Sequence, residues 1–580
     1  MADFLIKGGT VVDGKMTPAY AADVRVTGDR IAEIGAGLAP RGGAERVVDA
    51  TGCYVTPGFI EAHTHFDATM WWQDDLNPLP GYGATTIIMG NCGFSCAPIS
   101  DDKAATQEVI NIFSFFEDIA KEPFVSELPW DWRKWSEYKA SLTSKVRIPL
   151  NYAAYVGHIA IRLAVMGLDA WERTATPLEI ERMCELLDDA LNAGALGLST
   201  NLLDHDGDDR PVPTQIADDA EYAALFEVLD RHPGSAVQVI IDTFMRMTGP
   251  EMVARMGRLL EGKSVRMQWA GLPTLEFQKP TLGPLQKLHD DFKAQGKDYW
   301  TAFTHVSPTN TLSLTKSLIF AQSNDYAWHE VVQAETDEEK ERLLADPEWR
   351  ARARDSWDNH AWAHAPMNRP DDLLLRNSDN GAGPVNLTLT EYMKQSGAAH
   401  RSDAMADWIL KNGVKSTVHM APFPMNEELV IELIRDPMSV GNVSDAGAHA
   451  QMFCGPGENM LLFTYYVRGG KISIEEAVHV QTGKLARHFN LKGRGVLEEG
   501  APADITVFNI EEIERREERK IFDVPDGHGG ITWRYTRDPA PMRLTLVNGE
   551  ATFDGGEPTG KRPGEFLSPQ VDSAYSMAAE

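Results

Sequence analysis

Residues 58–68 read GFIEAHTHFDA, two histidines one residue apart at the end of the apolar run CYVTPGFI that starts at 53. Side chains two apart on a β-strand share a face, so His63 and His65 can both reach one ion. The run before them is rich in β-branched and aromatic residues, as a buried strand is. A His-x-His pair alone arises by chance on a surface strand or as two hydrogen-bonded structural histidines. Here it closes a hydrophobic strand, follows a Pro-Gly turn and precedes Asp67 by two residues, which favours a metal site.

Working outward from that strand, further apolar runs follow in ATTIIMGN (84–91), IPLNYAAYVG (148–157), ALGLST (195–200), AVQVIID (236–242), VRMQWAGL (265–272), YWTAFTHVS (299–307) and SVGNVSD (439–445). Helical segments lie between them. In PLEIERMCELLDDALNAG (177–194), for example, apolar residues recur three and four apart and Gly194 marks the end. With the strand of His63 and His65 this makes eight strand–helix units, which predicts an α/β fold: a (β/α)8 TIM barrel with insertions. Residues 308–438 are too many for one loop and contain the charged, helix-like DEEKERLLADPEWRARARDSW, so they read as an insertion near the barrel mouth. The first 57 residues alternate short apolar strands with Gly and Asp turns, and a similar texture returns at 495–509 and 542–555. Each β piece is too short to bury a core alone, so the two predict one small β-sandwich formed by both chain ends. The expected division is 1–57 and 491–580 for the sandwich and tail, with 58–490 for the barrel.

The 580 residues exceed a single core. No apolar run reaches the roughly 20 residues of a membrane span, and the N-terminus lacks a signal-peptide pattern. Five cysteines, an odd number, argue against a disulfide scaffold and fit a reducing cytoplasm. A net charge of −30 disfavours nucleic acid or an anionic membrane as partner. The expected partner is a small-molecule substrate, with a homo-oligomer left open.

Barrel enzymes carry their reactive groups at the carboxyl ends of the strands. Those positions here hold His63 and His65, Cys92, His158, Asp242, His305, and Asp445 with His449. Charged and imidazole groups are costly to bury unless paired or ligating. His158 and His305 rest on position alone, and each reads equally as a hydrogen-bonded rim histidine or as a ligand or acid. His205, in DHDGDDR, reads as part of a solvated loop.

Four motifs carry a family resemblance: GFIEAHTHFD, GATTIIMGNCGFSCAP, NVSDAGAH and EEAVHVQTGKLARHFNLKGRGVLEEGAPADITVFN. In this order they resemble the amidohydrolase superfamily and, within it, the branch of N-acyl-D-amino-acid deacylases (D-aminoacylases). The resemblance implies a barrel beside a small β-sandwich. It implies that His63 and His65 bind a divalent metal, usually zinc, and that Asp445 binds metal and serves as general base. It also implies that Cys92 ligates zinc, a set of donors that suits Zn²⁺; the alternative is a small buried residue beside the site. There are departures. D-aminoacylases carry metal-binding histidines after the fifth and sixth strands, where this chain reads AVQVIIDTFMR and VRMQWAGLP, and ALGLST holds no lysine to bridge two metals. One zinc per subunit is therefore favoured, held by His63, His65 and Asp445 with Cys92 or another histidine assisting; a second ion or another divalent metal is left open. The arginine that binds a substrate carboxylate shortly after the last-strand aspartate is also missing from SDAGAHAQMFCGPGEN. Arg162 could bind a substrate anion instead, or form a structural ion pair.

The implied reaction is hydrolysis of an amide, most readily of an N-acyl amino acid or related carboxamide. Zinc brings the pKa of its water from about 15.7 toward ~7, and Asp445 takes the proton and passes it to the leaving amine. His449 orients that carboxylate, bonds the oxyanion, or supports the ligands from behind. The departures keep a second reading open, a metal-dependent C–C or ring-opening hydrolase or decarboxylase. A non-catalytic binding protein is a third, disfavoured by the retained metal-type residues. Trp71, Trp72 and Trp269 are expected to frame an aromatic, largely apolar pocket, against the default that such rings pack beneath a lid.

Overall fold

The computed structural model describes residues 3–570 apart from 44, 244, 315–325 and 360–368. Parallel strands form its centre. Phe59–Glu61 pairs with Ala84–Met89, and that strand with Asn151–Ala154. Val156–Gly157 extends the third strand and pairs with Gly197–Asn201, which is followed laterally by Ala236–Ile240, Arg266–Ala270, Tyr299–Ala302 and Ser439–Val440. The pairings return to their start, because Val443–Ala446 lies parallel to His63–Thr64. The Asn442 side-chain amide also donates to the Ile60 carbonyl at 2.8 Å.

All these pairings are parallel, as crossover connections through helices require. The helix Pro177–Asn192 shows how sequence sets such a connection. Thr176 accepts the Glu179 amide at 3.4 Å while the Glu179 carboxylate accepts the Thr176 amide at 2.7 Å, a reciprocal cap. Pro177 occupies the first turn, where its missing N–H costs nothing. Met183, Leu187, Ala190 and Leu191 form the buried stripe. Gly194, at φ +98°, stops the helix two residues past its end.

Both chain ends meet in one nine-stranded sheet. Its join is the antiparallel pairing of Ile505–Phe508 with Tyr54–Pro57, which in turn runs parallel to Phe4–Val11. Ile6, Val24, Val55, Ile505, Val507 and Leu544 form a core there, drawn from segments too short to bury one singly. Within the expected insertion a four-stranded sheet (Asn310–Leu312, Thr417–Met420, Leu373–Asn377, Leu387–Thr388) packs with helices around its own core. Trp328, Trp349, Trp357 and Trp408 are buried in it, each contributing on the order of 1.5–3 kcal/mol. Parts of that insertion, 315–325 and 360–368, lie outside the described residues, as does the tail from 571.

One element was not expected. Glu518–Pro525 and Ile531–Arg537 form a separate antiparallel hairpin. It leaves the terminal sheet and reaches the loop after the last parallel strand. There the Tyr535 amide donates to the Ala450 carbonyl at 2.7 Å and the Gln451 side chain to the Trp533 carbonyl at 2.7 Å. Among the described residues, no helix is long and apolar enough to cross a membrane.

Candidate metal centre

The ends of the first, second and last parallel strands converge. His63 and His65 leave the first strand on one face with their ring centroids 5.2 Å apart. The Thr64 hydroxyl, pointing the other way, donates to the Ile88 carbonyl at 2.8 Å and locks this strand end to its neighbour. The second strand ends in Gly90-Asn-Cys-Gly. Gly90 sits at φ +74°, and a Cβ there would lie 2.3 Å from the Tyr155 carbonyl oxygen, so only glycine lets the chain turn against the third strand. Cys92 follows at φ +58°, unusual for a residue with a side chain. Side chains of the fourth and fifth strands hold it: its amide donates to Gln238 Oε1 at 3.0 Å and its carbonyl accepts from Asn201 Nδ2 at 2.8 Å. Asp445 on the last strand is also left-handed, at φ +56°. Beside it Gly447 packs so closely on His65 that a Cβ would lie 2.8 Å from the His65 backbone.

Four donor atoms face one another. His63 Nε2 is 3.0 Å from Cys92 Sγ and 3.4 Å from Asp445 Oδ1. His65 Nε2 is 3.7 Å from the same sulfur and 3.2 Å from the same oxygen. Metal–nitrogen bonds of about 2.0 Å and metal–sulfur bonds of about 2.3 Å in a tetrahedron separate donors by roughly 3.3–3.6 Å, close to these imidazole–sulfur and imidazole–carboxylate separations; His63, His65 and Cys92 form one ligand-sized group and His65, Glu117 and Asp445 another. Its polarity agrees: Asp445 Oδ1 is buried and faces the two imidazoles at 3.2 and 3.4 Å, an arrangement that favours positive charge beside it. Exposure also divides the roles. The side chains of His63 and His65 are 6% and 0% exposed, whereas that of Asp445 is 35% exposed, so only the aspartate is reachable from outside.

The protonation preferences point the same way. Burial drives the His63 imidazolium down to about 4. Burial would lower His65 too, but the carboxylates of Glu117 and Asp445 overcome it and hold it at about 9. Burial pushes the Cys92 thiol well up, and Glu117 and Asp445 add to that. Burial also pushes the Glu117 carboxyl well up, with His65 opposing it, so without a metal the pocket keeps a proton on the His65–Glu117 pair.

Other expected site residues fall in different places. His449, at φ +52°, has Nε2 4.0 Å from Asp445 Oδ2 and 3.7 Å from Glu117 Oε2. His158 and Arg162 are corrected to structural members of a buried ion-pair cluster. The His158 ring nitrogens meet Thr200 Oγ1 at 3.0 Å and Glu221 Oε1 at 2.8 Å, and Arg162 pairs with the other oxygen of Glu221. Both side chains are 0% exposed, leaving no path to a substrate. His305 is a buried rim histidine whose Nε2 lies 3.1 Å from the Glu458 carbonyl oxygen. Asp242 staples its own loop, accepting the amides of Met245 and Arg246 at 2.7 and 2.6 Å.

Trp269 is also corrected. Gln238 and Gln268 are register partners on the face turned to Cys92, so Trp269, one residue on, points to the helices. It is fully buried, with its ring 6.2 Å from that of His289 in the helix Lys279–Ala294. Trp71 stacks on Trp132 at 5.9 Å, the packing default. Trp72 does line a cavity beside the centre, together with Phe66, Phe453, Trp533, Arg534 and Tyr535.

Sequence reasoning missed Glu117, Asp204 and the hairpin aromatics. Glu117 follows the helix Lys103–Phe116 and is buried, its Oε1 3.5 Å from His65 Nδ1. Asp204 is buried, accepts from Asn201 Nδ2 at 2.5 Å, and is pushed well up by that burial. The signal for Glu117 was a carboxyl directly after the apolar INIFSFF at 110–116.

Comparison with known proteins places this geometry. The profile of the amidohydrolase family matches residues 46–553. An N-acyl-D-glutamate deacylase of Alcaligenes xylosoxydans xylosoxydans is 27% identical over 591 residues, covering 100% of this chain and 98% of that protein. A D-aminoacylase structure, described for its binuclear metal centre with one-metal activation and second-metal attenuation, is similar in fold at a TM-score of 0.64 and 22% identity. The overlap covers 98% of this chain and 100% of that one. An N-acyl-D-glutamate deacylase from Bordetella bronchiseptica, complexed with zinc and a phosphonate mimic of the tetrahedral intermediate, matches at a TM-score of 0.63 and 23% identity. It covers 98% of this chain and 99% of that one.

Proposed function

The chain belongs to the amidohydrolase family, and from that premise we propose that it is a metal-dependent hydrolase of the amide bond in an N-acyl amino acid or related carboxamide. Its architecture is read as a (β/α)8 barrel, about 58–490 with the insertion, beside a small β-sandwich from 1–57 and 491–580. Support comes from eight parallel strand positions whose pairing returns to its start and from the fold likeness to the two deacylases. One observation carries the functional reading: the His63 and His65 Nε2 atoms each lie 3.0–3.7 Å from Cys92 Sγ and from Asp445 Oδ1, all four side chains meeting at the strand ends. Two imidazoles, a thiolate and a carboxylate fit Zn²⁺. The fifth and sixth strands carry no histidine, and their inward side chains Gln238 and Gln268 are engaged by the Cys92 amide and by His488 Nε2, which supports one ion per chain.

A bound divalent ion supplies a Lewis acid that polarises the scissile carbonyl and acidifies water. The protein does the rest. Asp445, ionised and partly exposed, accepts the proton of the attacking water and returns it to the leaving nitrogen. His449 steadies the exposed oxygen of that carboxylate. Gln238 and Asn201 fix the Cys92 backbone so that its sulfur points at both imidazoles. Phe66, Trp72, Phe453, Trp533 and Tyr535 offer an aromatic surface for an apolar acyl group or side chain and exclude water around it.

The test is a metal-stripped and zinc-reloaded preparation assayed on a panel of N-acyl D- and L-amino acids. Amine release that disappears on stripping and returns with zinc is expected. A reloaded enzyme that cleaves none of the panel overturns the amide reading, and activity indifferent to stripping overturns the metal reading.

A further inference from the structure

We propose that Glu117 is the positioning carboxylate of this centre, orienting the His65 ring as a ligand and holding His449 beside Asp445. The proposal rests on the reading that His65 binds an ion. His65 turns Nε2 toward Cys92 and Asp445, which leaves Nδ1 facing away. That nitrogen is buried and without a hydrogen-bond partner, and so is Glu117 Oε1, 3.5 Å from it. The other carboxylate oxygen lies 3.7 Å from His449 Nε2. A backbone link reinforces the placement, since the His449 amide donates to the Glu117 carbonyl at 2.5 Å. Glu117 is 2% exposed, and the Phe94 and Phe113 rings pack edge-on against that of His65 at 6.4 and 6.3 Å.

A buried carboxylate is costly unless it is used. Two unsatisfied partners facing each other just beyond hydrogen-bond length are one small adjustment from a bond. When His65 ligates through Nε2, the proton must reside on Nδ1, where only an acceptor such as Glu117 stabilises it; carboxylate–histidine–metal arrangements of this kind fix both tautomer and ring orientation. Through His449 the same carboxylate spans to the loop that carries Asp445. This single residue, from the loop after the second strand, thereby couples the first-strand ligand to the last-strand base.

The experiment uses the full chain stripped of metal, with zinc affinity measured by competition against a chromogenic chelator and apo-protein melting as the control. E117Q retains the shape and an acceptor but loses the charge; E117D retains the charge but draws it back by one methylene. With apo melting unchanged, E117Q is expected to weaken zinc binding about 10–100-fold and E117D at least about fivefold. In the zinc-saturated E117Q enzyme, kcat falls while KM stays within about threefold. Wild-type affinity in either variant overturns the proposal; in E117D it would mean that charge, not position, matters. Should E117Q fail to fold, E117D alone decides. H63A and H65A serve as separate controls: if they lose zinc while the Glu117 variants keep it, the positioning role fails and the metal reading stands. If H63A and H65A themselves bind zinc as the wild type does, the metal reading fails and takes the positioning role with it.

Discussion

Replacing Asp445 with asparagine separates chemistry from architecture more cleanly than any other change at this site. Asp445 sits at φ +56°, a conformation that asparagine tolerates as well as aspartate, so the backbone carries no new strain. The amide oxygen can keep the 3.4 and 3.2 Å approaches that Oδ1 makes to His63 and His65. What is lost is charge and basicity. Burial alone would raise the Asp445 carboxyl, but His65 and His63 overcome that and hold it below its ordinary range, so the wild-type group is ionised at neutral pH with a lone pair free to take a proton. An amide cannot accept that proton. General-base contributions of 10²–10⁴ are typical, so kcat of the zinc-saturated variant should fall by about that factor, or roughly 3–5 kcal/mol of barrier. Zinc affinity should weaken as well, since one ligand charge is gone, and the assay must therefore be run across a zinc titration with metal content measured at each point. Turnover of saturated Asp445→Asn within a fewfold of wild type would refute the assignment. The role would then pass to His449, the nearest remaining base, because His158 and His305 are tied into other contacts.

Elemental analysis should find about one tightly held divalent ion per chain, and His63→Ala or His65→Ala should lose it together with activity; two tight ions, or none in active enzyme, would contradict the one-ion reading. Trp533→Ala should raise KM for substrates with aromatic or long apolar groups by about tenfold, the value of a buried apolar contact, with little effect on small acyl groups; an equal loss across the series would remove Trp533 from the pocket. Glu61, two residues before His63, offers a pH test on a residue that is not itself a ligand. Both its oxygens are buried, and burial, opposed by Ser444 and Asn442, raises its carboxyl to about 7. With the folded value above the unfolded one, its contribution to stability is fully present below about pH 4.5 and is lost as pH rises through about 7. Glu61→Gln should therefore gain on wild type in melting temperature between pH 5 and pH 8, by about 1–3 °C for about 1–3 kcal/mol in a chain of this length; a constant difference would mean that Glu61 does not titrate there.

The fold was legible because each strand announced itself locally. Short β-branched runs bounded by glycine or aspartate were found at all eight parallel positions, with ends shifted by one to a few residues where the chain stops pairing before its apolar run stops. His63, His65, Cys92 and Asp445 were legible for the same reason, standing where an apolar strand ends. Trp269 shows the limit of that logic. Its position near a strand end was right, but the two-residue alternation that gives Gln268 the inner face sends Trp269 outward, and only cross-strand register reveals which of the two faces in. Glu117, Trp533 and Tyr535 were illegible for another reason: each arrives from a loop or hairpin whose path is fixed by tertiary contacts, such as the Tyr535 amide to the Ala450 carbonyl. Arg162 and His158 were misplaced because nothing local shows that Glu221, some sixty residues on, closes over both.

The two readings of Cys92, ligand or small buried residue, make opposite demands on a single substitution. Cys92, Asp445 and His449 are all left-handed, at φ +58°, +56° and +52°, and each such residue costs of order 1–3 kcal/mol unless its surroundings impose it. For Cys92 the surroundings are explicit: Gln238 and Asn201 hold its amide and carbonyl. Glycine at 92 would adopt that conformation without strain while losing the few contacts of a small sulfur side chain, two terms of similar size and opposite sign. The melting temperature of the metal-free Cys92→Gly protein should accordingly change little. If the thiolate is a ligand, zinc affinity should nonetheless fall on the order of 10²-fold, because a charged donor 3.0 Å from His63 Nε2 has gone. Cys92→Ser, which keeps a weaker donor under the same backbone strain, should lie between the two. Strain maintained at a residue that contributed only packing would have no compensating benefit, so zinc affinity unchanged in Cys92→Gly would leave the left-handed turn unexplained and reduce the centre to His63, His65 and Asp445.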